Sequence, residues 1–510
     1  MRLSKHQLAM ASSLVFLLGG AVAQAQDSTP DKQALIDRLE AMQKTIDELH
    51  NKVNSLEKEK QGTAPASGAE NKASDNNAGA ASARGTPAPV PSSSVQVSDS
   101  KSWGPAPSAG EQGLPATPMP NRPDTTGRLV SSSRPDNAPI DPQFKGFMRL
   151  FGTDTYFKLG GYVRVNLNVN NKEMADNTEM VPSGIPVKGE ANYGSGENVS
   201  FHGKASRIDF ELRRNTELGA LRIYYENDFY GSSNDYFSYH FRQFYAQLGN
   251  LLAGQASTTF TDDDIWPDII DYQGPNSAAY VRQVQIRYIV PLMKSGDDNM
   301  HMAFAIEQPD SEVDLTGAGA GADSKNRMPD FTARWRYESP RWHVQLAGLA
   351  RDISYRDGDD NGQSVFGGGL SLTGGMTVFE KDRIGAQLAY GYGIGRYFQD
   401  ASGHNTDAAL TSGGDLRPLE TLGAYLTYTH HWNDQFRSSL TGGYLNIDNE
   451  SGQAGDAFHR SVYASANLVW QPTRDFWVGA EVLYGYNRHN DGNHGDAWQV
   501  QLAVNYALVE

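Results

Sequence analysis

Ten basic residues, Lys158, Arg164, Arg207, Arg213, Arg222, Arg287, Arg334, Arg336, Arg351 and Arg437, share the polar positions of a recurring apolar–polar alternation. Arginine presents a planar fork of donors that grips a carboxylate in bidentate fashion, and arginines lining a narrow watery passage favour anions. Acids on the same positions are fewer, chiefly Asp209, Glu211, Glu226, Asp228, Glu307 and Glu481. Some of the arginines can instead pair with neighbours such as Asp209 and Glu211 and brace a wall, and spacing does not separate the two roles. A second concentration of charge lies in 257–280, where Asp262, Asp263, Asp264, Asp268 and Asp271 stand beside Phe260, Trp266, Pro267 and Tyr272. Folded inward, this apolar-rich loop would be a constriction, setting its acids opposite the basic wall with a field between them. Left outside, it would be an external or subunit-contact loop.

The alternation that must position these residues runs from about 157 to 508. Phe157, Leu159, Gly161, Val163, Val165, Leu167 and Val169 interleave with Lys158, Gly160, Tyr162, Arg164, Asn166, Asn168 and Asn170. One face suits hydrocarbon and the other suits water. Sixteen strands can be placed: near 157–170, 204–213, 221–229, 240–248, one ending near 255, 282–290, 301–308, 331–338, 342–353, 366–379, 384–396, 422–432, 436–447, 461–470, 476–486 and 498–508. Short turns such as Glu380-Lys381-Asp382-Arg383 and Thr473-Arg474-Asp475 take turns with long loops rich in Asp, Asn and Gly, the pattern of an outer-membrane barrel. Tyr390, Tyr392, Tyr428, Trp432, Trp470, Tyr484, Trp498 and Tyr506 are placed for interfacial girdles.

The expected fold is therefore all-β, a 16-stranded antiparallel transmembrane barrel over 143–510. An even strand count leaves both of its ends on one side. The bulk numbers agree: 510 residues, a net charge of -16, 52 glycines, 24 tyrosines, no cysteine, and a mean hydropathy of -0.55. Such a chain excludes a helical membrane protein and a disulfide framework, and its acidity argues against a nucleic-acid partner. Residues 1–25 read as a secretory signal, with Arg2 and Lys5 before an apolar stretch and small residues at Ala21, Ala23 and Ala25.

Within 26–60, Leu39, Ile46 and Val53 take the a positions and Leu35, Met42, Leu49 and Leu56 the d positions of a short α-helical coiled coil. Its β-branched a residues with leucine at d lean towards two strands, and its shortness implies self-association. Residues 61–142, rich in Ala, Ser, Gly, Pro and Asn, read as a disordered linker that reaches on the order of 50 Å.

Nothing in the sequence asks for a cofactor, a metal or a catalytic group. Asp357, Asp359, Asn361 and Gly362 begin a calcium-loop pattern, but Gly368 stands where the closing glutamate belongs. His430 and His431 are adjacent, so on a strand they point to opposite faces. No serine and histidine single themselves out as a hydrolase pair. Two functions stay open: a passive, anion-preferring channel for small solutes, or a structural barrel anchored in outer-membrane lipid that tethers a periplasmic partner through the coiled coil.

The chain resembles the DcaP-like outer-membrane porins. The resemblance rests on the order of segments: heptads, low-complexity linker, then a barrel opening Phe157-Lys158-Leu159-Gly160-Gly161-Tyr162. It continues through Leu252-Ala253-Gly254-Gln255, Phe260-Thr261-Asp262, Arg282-Gln283-Val284-Gln285-Ile286-Arg287-Tyr288, Met328-Pro329-Asp330, Gly393-Ile394-Gly395-Arg396-Tyr397 and His430-His431-Trp432. It implies a homotrimer of sixteen-stranded barrels in the outer membrane that admits small anionic solutes, typically dicarboxylates. Outer-membrane barrels in general end on an aromatic residue, whereas this sequence closes Tyr506-Ala507-Leu508-Val509-Glu510, so that assembly is expected to rely on Tyr506 or on a less usual signal.

Overall fold

The computed structural model describes residues 147–231, 237–295, 297–357 and 362–508. The expected signal, coiled coil and linker lie outside the described residues. We number the barrel strands β1 Tyr156–Asn170, β2 in two segments Asn198–His202 and Arg207–Thr216, β3 Gly219–Asp228, β4 His240–Leu248, β5 Leu251–Ser257, β6 Arg282–Ser295, β7 Asp298–Glu307 and β8 Asp330–Ser339. They continue with β9 Trp342–Arg356, β10 Gly362–Val378, β11 Asp382–Tyr392, β12 Glu420–His431, β13 Phe436–Asp448, β14 Phe458–Thr473, β15 Phe476–His489 and β16 His494–Ala507.

Every strand pairs antiparallel with the next, and β16 returns to β1 over Tyr162↔Ala507 to Asn170↔Gln499. Closure satisfies the backbone groups that hydrocarbon cannot, so no edge is left facing lipid. The result is a closed sixteen-stranded barrel. Among the described residues, no helix is long and apolar enough to cross a membrane.

The alternation follows the two solvents. Val163 and Val504 are 52% and 46% exposed on the outer wall, while Arg164 and Asn505 between their neighbours are 0% and 1% exposed inside. Tight turns join the strands at one end, for example Leu248 to Leu251, Ser339 to Trp342 and Thr473 to Phe476. Outward aromatics ring both ends: Trp342, Trp432 and Tyr506 near the turns, Phe366, Tyr390, Tyr392 and Trp498 near the loops. Trp498 packs on Tyr484 with centroids 4.9 Å apart.

Three details depart from simple alternation. β2 begins at Asn198, before the expected 204, and between its segments the chain leaves the ladder. There the Ser206 hydroxyl replaces a backbone partner: it accepts from the Arg164 amide at 3.0 Å and donates to the Arg164 carbonyl at 3.1 Å. β11 stops at Tyr392, short of the expected 396, because Gly393 adopts φ +68 and turns the chain inward. Opposite Glu226 and Asn227, a bulge in β4 buries Arg242 and Gln243 in succession.

Candidate functional site in the barrel lumen

A sixteen-stranded barrel is wide enough to leave an aqueous channel unless something enters it. Here the segment between β5 and β6, residues 258–281, crosses the interior and is fastened to the far wall. Asp262 starts a single short turn, Asp263–Ile265, accepting from the Asp264 amide at 3.2 Å. Its carboxylate also takes Arg336 Nη1 of β8 at 2.8 Å and Thr373 of β10 at 2.6 Å, and it is hydrogen-bonded to His343 Nε2 of β9 at 2.8 Å. Asp264 takes the other guanidinium nitrogen of Arg336, and Asp268 pairs with Arg437 of β13.

Further along, the loop amides of Ile270 and Asp271 donate to Glu481 of β15 at 2.9 and 2.6 Å. Asn276 donates to Ser461 at 2.8 Å and Ser277 to the Ala424 carbonyl at 2.7 Å. The loop has folded inward.

Its acids therefore meet the wall arginines in contact ion pairs. They do not face them across an open gap, so the expected field between separated charges is largely cancelled where Arg336 and Arg437 stand. Burial would raise Asp262, but Arg336 and His343 outweigh it and hold that carboxyl well below the usual range. For Asp263, burial together with Asp264 and Asp262 outweighs the Ser257 hydroxyl and Arg287 and pushes it up to about 7. Burial pushes Asp271 up to about 6, although it accepts from Met180, Gly274, Tyr463 and Gln501. The ligand atoms of Asp262, Asp264 and His343 lie within 4.8 Å of one another, close enough for a cation, yet Arg336 already supplies the positive charge there.

Two other loops join the filling. Met174, Met180 and Ile185, between β1 and β2, pack on Tyr463, Leu483 and Ala497. Ile394, Tyr397, Phe398, Ala401 and Ala409, between β11 and β12, pack on Phe260, Leu445, Ile447 and Phe458. The loop end of the lumen thus holds an apolar plug inside a polar wall.

A family model described as DcaP outer membrane protein matches residues 150–508. The chain belongs to the DcaP outer-membrane protein family. The outer-membrane channel DcaP of Acinetobacter baumannii is similar in fold, with a TM-score of 0.60 at 19% identity over 69% of this chain and 97% of that one. The anion-selective porin from Comamonas acidovorans gives 0.47 at 12% identity, over 69% and 100%. Salmonella typhi OmpF gives 0.43 at 8%, over 71% and 100%. No curated protein matches. Family and neighbours are outer-membrane channels, not enzymes.

Against that family frame, the ten basic positions separate by partner. Arg336, Arg351 and Arg437 are committed to acids from loops or wall: Arg351 reaches Asp407 at 2.8 Å and Asp330 at 3.4 Å. Arg287 binds Gln285 at 3.0 Å and the Ser257 carbonyl. Arg207 lies 3.6 Å from Glu226. Arg334 is buried in the same wall, and Lys158 is half-buried with the Phe147 ring 5.8 Å away.

Arg213 and Arg222 face each other across β2 and β3 and both bond the same Glu211 oxygen at 2.6 Å. Arg164 makes no ion pair among the described residues; it holds Asn166 at 3.0 Å and the Ile270 carbonyl, with the Trp477 ring 5.3 Å from its guanidinium.

Sequence reasoning missed Arg242, Arg282 and Arg396, all buried inside. Arg396 reaches Asp330 at 3.0 Å, and Arg242 reaches Asp228 at 2.6 Å. His430 and His431 gather on Asp382 at the turn end, the first at 2.8 Å and the second at 4.0 Å. Asp359 and Asn361 of the calcium-like segment lie outside the described residues.

Proposed function

We propose that this chain is a passive outer-membrane channel that prefers small anions, dicarboxylates among them. We further propose that it works as a homotrimer with its N-terminal segment in the periplasm. One observation carries the anion preference: Lys158, Arg213 and Arg222 gather around Glu211, with Asp209 beside it, three cations to two acids. Arg164, with no carboxylate of its own, extends that surplus inward along the same wall. Guanidinium forks grip carboxylates, and a solute with two carboxylates can engage one cation before releasing another. Filled loops and a cationic strip together suit small anions better than large or positive solutes.

Purified protein in planar bilayers under a salt gradient tests this. The reversal potential should report anions as the faster ions, and Arg213→Gln/Arg222→Gln should move it towards zero. A cation preference in the unaltered protein overturns the proposal.

A further inference from the structure

The outer wall near the loop end carries charges that the lumen does not use. Arg460 of β14 and Arg488 of β15 are direct cross-strand partners, and Arg488 is in turn opposite His494 of β16. Their neighbours Ser461 and Asn487 are 0% and 1% exposed, so all three side chains stand on the lipid-facing side.

Like charges directly opposite each other destabilise a ladder. Neither arginine makes an ion pair among the described residues. Arg460 donates to the Asn446 side chain at 2.9 Å and lies 5.5 Å over the Tyr444 ring. Acids on this face are occupied: Asp448 accepts from Asn446 at 3.0 Å, and Asp496 lies 3.6 Å from Lys172. Just towards the membrane from this row sit Tyr486 and the Tyr484–Trp498 pair, aromatic rings of the kind that settle at headgroup depth. Long loops of outer-membrane barrels face outward, so the row lies at the outer leaflet.

We propose that Arg460 and Arg488, with His494 beside them, dock the phosphate of an anionic lipid of the outer leaflet. A lipid phosphate supplies the counter-charge that the protein omits. Two parallel forks suit its oxygens, and the rings beneath receive the start of the acyl chains. A free solute anion would gain nothing from those rings, which favours the lipid as occupant. The proposal is independent of the selectivity of the lumen.

The test uses the full chain in phosphatidylcholine nanodiscs containing either bis-phosphorylated or dephosphorylated lipid A, with lipid retention read by native mass spectrometry. The unaltered protein should retain the phosphorylated form. Arg460→Gln/Arg488→Gln should weaken retention about thirty-fold, and Arg460→Lys/Arg488→Lys should fall between. Unchanged conductance and heat-modifiable migration on gels confirm that each variant is a folded barrel; should the glutamine pair fail to fold, the lysine pair alone carries the comparison. Equal retention by the variants overturns the proposal, as does equal retention of the dephosphorylated lipid. Displacement by millimolar inorganic phosphate would assign the pair to free phosphate and overturn it too. So would a variant that splits the oligomer while lipid retention stays the same.

Discussion

Neutralising both loop acids that hold Arg336, by Asp262→Asn/Asp264→Asn, keeps shape while removing charge. Two charge-assisted hydrogen bonds worth about 1.5–3 kcal/mol each become neutral ones worth about 0.5–1.5. The loss is therefore about 2–3 kcal/mol, which lowers the ratio of seated to released loop roughly 30- to 150-fold. Arg336 would keep Glu338 and the Gln345 side chain. The effect should stay local, because Asp268–Arg437, the Glu481 bonds and Asn276–Ser461 still hold the rest of the loop. Barrel melting should hardly change, since the ladders are untouched. Single-channel records should show higher mean conductance and more flicker, and amides around 258–266 should exchange faster. Because two negative charges leave the lumen, anion preference should rise. Unchanged conductance, noise and exchange would refute the view that these pairs hold a constriction in place.

Three further outcomes are expected. The folded pKa of Asp263 is raised from the ordinary 3.8 to about 7, so its contribution to the seated loop is complete below about 4 and is lost as pH climbs through about 7. Channel flicker should be lower at pH 5 than at pH 8, and Asp263→Asn should flatten that difference. Gly274 sits at φ +81 with the Trp266 ring where a Cβ would go, so Gly274→Ala should loosen the loop by about 1–3 kcal/mol, seen as faster hydrogen exchange over 266–276. Glu211→Gln leaves Arg213 and Arg222 opposite each other with no shared acid. Melting temperature should fall, by up to about 3–5 kcal/mol of stability, while anion preference under a salt gradient should increase.

The barrel was legible because lipid and water on opposite sides impose a period of two, and each of the sixteen expected strands has its counterpart. Where that period breaks, the reading missed charges. Counting back from inward Gln243 puts Arg242 outside, but the bulge opposite Glu226 and Asn227 inserts one residue and turns it in. Arg282 falls on outward parity at the mouth of β6, yet the inner loop covers it and Tyr280 lies 5.7 Å away. Arg396 was absorbed into a strand that Gly393 ends. The plug was less legible still. Ile394, Phe398, Met180 and Ile185 have no period, because a loop packed inside a barrel meets apolar partners wherever its path passes them. The high apolar content of 257–280 was the one local sign of such a path.

The position of the inner loop explains why the arginines of one wall are unequal. Spanning from β8 towards β16, its acids reach Arg336 and Arg437, and the neighbouring loops bring Asp407 to Arg351. On that side a guanidinium is the cheapest way to seat an acidic loop, because an unpaired buried carboxylate costs several kcal/mol. The loop leaves β5 and returns at β6, so it passes away from the turn-end halves of β1, β2 and β3, where Lys158, Arg213 and Arg222 gather around Glu211. The loop's acids go to Arg336 and Arg437, so the three cations keep a positive surplus over Glu211 and Asp209. On the proposed reading, solute anions supply that missing charge in passing. The same residue type then serves as a latch on one wall and as a selectivity strip on the other, and only the path of the loop distinguishes them.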